Sequence, residues 1–210
     1  MSLIRQSAHA GMSAILVAGS RFVFIAILSR RLSPESFGQF VYSQWLVDTA
    51  FLLCSLGATG VASRYIAEFR SDASNLAGFI SRWQLWALAL PVLGGLAVTV
   101  GARFSGYTFD TGTNMALGMW AVVSGIAAMY TAALTGFLRF DLVFRTNLVS
   151  AVILLTGALS MPMNGSGPAY LFVLMAISSG IAVIPGVLLV RRHGQGEVAA
   201  GIVLQRDGAN

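Results

Sequence analysis

The chain has 210 residues, of which 56% are hydrophobic and 10% charged. A soluble domain carries about 25% charged residues, so this composition excludes a globule wetted on every side and places the chain in a bilayer. All thirteen cations are arginine and the net charge is +5; in so apolar a chain that excess reads as arginine held on the cytoplasmic side of a membrane, not as a nucleic-acid footprint.

The N-terminus carries one early cation, Arg5, ahead of an apolar run too long for a cleaved signal, and reads as an uncleaved first span. Six apolar segments approach the roughly 20 residues needed to cross hydrocarbon: 10–32, 37–60, 83–102, 115–138, 142–161 and 169–190. The expected fold is therefore all-α, a polytopic membrane protein with six spans over 1–190 and a polar cytoplasmic tail over 191–210.

The first two spans are separated by "SRRLSPESFGQF". Ser33 is a good N-cap and Pro34 suits the first helical position. Glu35 complements the positive end of the next helix dipole, and Gly38 removes a side chain where two helices would meet. Phe37, Phe40, Tyr42 and Trp45 suit an interfacial belt. Farther along, "SRYIAEFRSDASNLAGFISR" (63–82) is read as continuing the second helix and then lying at the interface. "GARFSGYTFDTGTN" (101–114) is read as a glycine-rich loop and "MPMNGSGPAY" (161–170) as an uncharged turn. Ala87, Pro91 and Gly95 fall on one face at i, i+4, i+8, and Gly118 and Gly125 lie a heptad apart; such positions let helices approach closely in lipid.

With six spans both ends share one side. That side collects nine arginines, against three on the other, Arg30, Arg31 and Arg103. The bias puts both termini in the cytoplasm, and Arg30–Arg31 then runs against it. The pair is either snorkelling from a helix end or does something besides setting topology.

Two charges fall inside spans. Arg21 is thirteen residues before Pro34 and Asp48 fourteen after it, so each lies about 20 Å from the outer end at 1.5 Å per residue. A charge at mid-bilayer costs at least about 2.5–3.5 kcal/mol, which favours a pair that faces a protein interior. One reading is a salt bridge that fixes the hairpin. The other is a cavity in which Arg21 attracts an anionic ligand, because its fork takes phosphate oxygens in pairs.

"AILSRRLSPESFGQFVYSQWLVD", followed by "LGATGVASRYIAEFR", resembles the amino-terminal signature of the O-antigen and exopolysaccharide flippases of the multidrug/oligosaccharidyl-lipid/polysaccharide exporter superfamily. The matching residues are Ser29, Arg30, Leu32, Pro34, Glu35, Phe37, Gly38, Leu56, Gly57, Arg64 and Tyr65. The resemblance implies a bacterial inner-membrane translocase of undecaprenyl-diphosphate-linked oligosaccharide, without a bound cofactor. With such a substrate, the in-span charges Arg21 and Asp48 are the candidate substrate-binding residues, on the strength of their depth. Members of that family have twelve to fourteen spans in two lobes, so this chain resembles one lobe. It is expected to act as half of a transporter with a second lobe or as a homo-oligomer, among membrane lipids. The rival expectation is a non-transporting remnant or a membrane scaffold of a polysaccharide assembly complex.

Enzyme signatures are missing. There is no lysine for a phosphate loop. His9, His193 and the single Cys54 are too dispersed to assemble a metal set. "GQGEVAAG" follows no strand and is no dinucleotide fingerprint, and Asn164-Gly165-Ser166 reads as a chance sequon. Trp83, Trp86 and Trp120 read as belt or core. The arginine asymmetry is checked directly: reporter fusions at Asn210 should read cytoplasmic and fusions at Asp110 external, and an external reading at Asn210 would defeat the six-span topology.

Overall fold

The computed structural model describes residues 3–55, 57–69, 72–104, 109–161 and 168–207. Seven helices make up the described chain: α1 (Leu3–Arg31), α2 (Pro34–Ser55), α3 (Ala58–Phe69), α4 (Ala73–Phe104), α5 (Thr111–Gly136), α6 (Phe140–Leu159) and α7 (Pro168–Asp207). No strand occurs among the described residues. Five helices are long and apolar enough to cross a membrane, and α2 with α3 makes a sixth if that pair, bent by 52°, counts as one span. The chain is therefore an all-helical, multi-pass membrane protein.

The helix boundaries follow local chemistry. Ser33 caps α2 as expected, its Oγ accepting from the Ser36 N–H at 3.2 Å. Asp110 caps α5, accepting from the N–H groups of Gly112 at 3.0 Å and Thr113 at 3.2 Å. The bend after α2 falls at Gly57, whose φ of +78° suits a residue without Cβ. The expected single span 37–60 is thus two helices. Its hydropathy is continuous, so only the Leu-Gly pair marks the break. At the other end of α5, Leu138 N–H reaches Thr135 O and Arg139 N–H reaches Leu134 O, both at 2.9 Å. This is the helix-ending motif in which glycine normally takes the left-handed position; here Leu138 takes it, at φ 56°.

Other expected boundaries shift. The charged stretch 63–82 is shared by α3 and the start of α4, with 70–71 outside the described residues. The expected loop 101–114 is shorter, because α4 runs to Phe104 and α5 starts at Thr111. The expected turn 161–170 falls largely on 162–167, which lie outside the described residues. The backbone of the expected polar tail continues α7 to Asp207.

α5 is the central helix, packed against α7, α4 and α3. α1 lies along α6, and α6 along α7. α2 lies along α4 and barely touches α1. One core cluster gathers near the α1–α2 hairpin, where the rings of Trp120, Phe40 and Phe172 form a near-parallel triangle, Trp120 lying 6.5 Å from Phe40 and 5.7 Å from Phe172, with Phe40 and Phe172 6.5 Å apart. A second gathers at the opposite end, where Trp83 meets Tyr130 edge-on at 5.5 Å. Trp120 and Trp83 are thus core, while Trp86 is exposed.

The small residues at helical spacing do bring α4 and α5 together. A Cβ on Gly125 would lie 2.8 Å from Pro91 Cβ, and one on Gly118 would lie 2.6 Å from Thr99 Cγ2. Gly95 sits against the Gly118 carbonyl, 3.2 Å from where its Cβ would be. Gly186 does the same for α7 against the Tyr130 Cβ of α5, at 2.6 Å. Gly38 does not: a Cβ there meets nothing within 4 Å, so it is not a point of close approach. Gly125→Leu should therefore overpack the α4–α5 seam and cost about 1–3 kcal/mol. Gly38→Ala should stay within about 0.5 kcal/mol of the parent. Unfolding in detergent micelles measures both, and equal losses would contradict this packing.

Candidate functional site: a polar cleft around Arg21

Below the hairpin the bundle holds a half-open cavity of about 200 Å³ whose lining mixes polar and apolar side chains. It is lined from α1 by Ser20 and Arg21, from α2 by Gln44, from α5 by Thr131, from α6 by Asn147 and Ser150, and from α7 by Ser178 and Ser179. An adjoining cleft of about 630 Å³ shares Val17, Arg21 and Asn147 and extends between α1 and α6 toward the N-terminal end of α1. Together they reach the range of small-molecule sites, roughly 300–1,000 Å³.

The polar residues are held by one another and by backbone. Ser150 Oγ donates to Ser178 O at 2.7 Å, and Ser178 Oγ donates to Ser150 O at 3.1 Å, a reciprocal link between α6 and α7. Asn147 Nδ2 donates to the buried Ser13 Oγ at 2.7 Å and ties α6 to α1. Ser20 Oγ donates to Val17 O at 3.1 Å. In hydrocarbon each such group would cost several kcal/mol unsatisfied, so these links decide which helices become neighbours.

Arg21 lines both clefts. Asp48 lies on α2 near enough for Arg21 to act on it through space. The two do not pair, however. Among the described residues the ion pair within 4 Å is Arg139–Asp141, 3.3 Å apart at the α5–α6 junction. Both Arg21 and Asp48 are exposed on the isolated chain. The expectation that they face each other inside the bundle is corrected accordingly. It assumed that α1 and α2, joined by a short turn, pack along their lengths, whereas α1 packs on α6.

The signature residues take varied places. Arg30, Glu35 and Arg64 are exposed, Pro34 opens α2, and Phe37 packs against the hairpin-end core. Gly38 faces open space. Arg31 caps the end of α6, its Nη1 donating to Leu159 O at 2.7 Å and to Met161 O at 2.8 Å. That accounts for one member of the arginine pair without topology. The residues that sequence reasoning missed are Gln44, Thr131, Asn147, Ser150, Ser178 and Ser179. The available signal was polar side chains well inside apolar spans.

Comparison with protein-family models, curated proteins and solved structures finds no match to this chain. The site is therefore read from its own geometry.

Arg31→Ala removes two charge-assisted bonds at a partly exposed site and should cost about 1–3 kcal/mol of stability. Arg30→Ala should cost under about 0.5 kcal/mol. Thermal unfolding of the two variants side by side checks this, and equal loss would refute the capping role.

Proposed function

We propose that the chain is a six-span lobe of a bacterial inner-membrane flippase for undecaprenyl-diphosphate-linked oligosaccharide, with both termini in the cytoplasm. The observation that carries the reading is the polar cavity around Arg21 inside an otherwise apolar bundle. An intramembrane cation facing a cavity is a functional feature by default, and the arginine fork fits a diphosphate. Amide and hydroxyl groups around it suit a sugar, and the gap between α1 and α2 leaves a lipid tail in the bilayer. The signature in the hairpin and in α3, from Ser29 to Tyr65, supports the family.

The same open side supports a second reading, a membrane scaffold of a polysaccharide assembly complex that holds this ligand without moving it. Transport by alternating access needs two lobes around the site.

Binding of the lipid-linked oligosaccharide to the protein in nanodiscs tests the first step. Arg21→Ala should weaken binding about 10–100-fold, the effect of losing a charged hydrogen-bond partner. Arg21→Lys should recover part of it as a point charge. Unchanged affinity in Arg21→Ala would remove the site, whereas binding without translocation in reconstituted vesicles would favour the scaffold.

A further inference from the structure

Arg21 and Asp48 are exposed well inside their spans, on two helices that barely touch. Against lipid, a charge at mid-bilayer is costly and seeks a partner in protein or in a water-filled cavity. Within one chain Arg21 acts on Asp48 through space without closing an ion pair. A group that closes both must bring a carboxylate and a cation to the same face at the same depth.

The face around them is shaped for protein. On α2 the exposed residues Val41, Trp45, Asp48 and Leu52 fall at i, i+4, i+7 and i+11, a single stripe with the charge inside it. α1 is exposed on most of its faces; along the rim of the α1–α6 cleft Gly11, Ala14, Ala18, Arg21 and Ile25 follow the same rhythm, and three of them are small enough for a close helix approach.

We propose that this face binds a second copy of the chain about a two-fold axis along the membrane normal, with Arg21 of each copy paired to Asp48 of the other. Such an axis inserts both copies the same way up and preserves depth, so a residue can pair only with a group at its own level. The two charges meet that condition. Arg21 is ten residues from the end of α1 at Arg31, and Asp48 fourteen from the start of α2 at Pro34. These are depths of about 15 and 21 Å from the hairpin. Helical side chains lean toward the N-terminus. In α1 that leads away from the hairpin and in α2 toward it, so the two heads converge on one level. A guanidinium that gives two N–H groups to a carboxylate keeps three more for the cavity. The pairing does not rest on the ligand assigned to the cavity.

Charge exchange tests it. Two differently tagged chains, R21D and D48R, are expressed singly and together. R21D with itself and D48R with itself each oppose like charges twice, and tagged pairs of either should co-purify at least about 10-fold less than the parent, since like charges set face to face in an interface repel. R21D with D48R rebuilds both pairs across the interface and should restore co-purification, although each chain alone has lost its internal complement. Recovery in a chain carrying both changes, without recovery in the mixed pair, would assign the bridge to a single chain and overturn the dimer. A cross-link with the native charges intact guards against misfolded variants. In a Cys54→Ser background, Ile25→Cys in one copy and Val41→Cys in the other lie about 9 and 10 Å from the hairpin. A short thiol cross-linker applied to whole membranes should join the two tags, and a failure to join them would also overturn the proposal.

Discussion

Every polar group carried into hydrocarbon must find its partner within protein, and the neighbour relations of this bundle follow from that constraint. Backbone needs are met by the helices. Many hydroxyls bond a carbonyl of their own helix, as Ser20 does, and others cross from one helix to another: Asn147 to Ser13, Ser150 to Ser178 and back, while the Arg31 guanidinium reaches the last carbonyls of α6. Each of these crossing links ends on α6, and α6 is the helix that holds α1 and α7. α5 is held differently, by the absence of side chains at Gly118, Gly125 and Gly136, which lets α4 and α3 press against its backbone. Where Gly136 would carry a Cβ, Ile66 Cβ and Ser63 O already lie 2.8 Å away.

Much of the helix inventory was legible in the sequence because apolar length and turn chemistry act locally. Ser33 and Pro34 sit at a helix start for reasons contained in three or four residues; Asp110 does too, although the stretch around it reads as a loop. That close approaches would occur at Pro91, Gly95, Gly118 and Gly125 was legible, since small residues at helical spacing leave few other uses, but which helices they join was not. The same inference failed at Gly38, whose neighbourhood is open. A glycine on an open helix face and a glycine at a crossing look alike in one dimension. The 52° bend was hidden because residues on both sides of Gly57 are apolar.

For the site, the charge was readable and its surroundings were not. Arg21 stood out as a cation inside a span. Its companions come from four other helices, and Asn147 meets Ser13 across 134 residues of sequence. Apolar helices in lipid carry little patterning that names their neighbour, so sequence adjacency suggested α1 against α2. The polar links send α1 to α6 instead, and the seam left beside α2 is where Arg21 and Asp48 reach the surface.

The serines of the cavity have a directional chemistry. Ser20, Ser150 and Ser178 each have their hydroxyl hydrogen engaged by a main-chain carbonyl. A hydroxyl has one hydrogen and two lone pairs, so these three face the cavity as acceptors. The donors there are the Arg21 guanidinium, the Gln44 amide, the second Asn147 amide hydrogen and the hydroxyls of Thr131 and Ser179. The three engaged serines thus offer only lone pairs to a guest, and a donor on the guest is what each of them can meet.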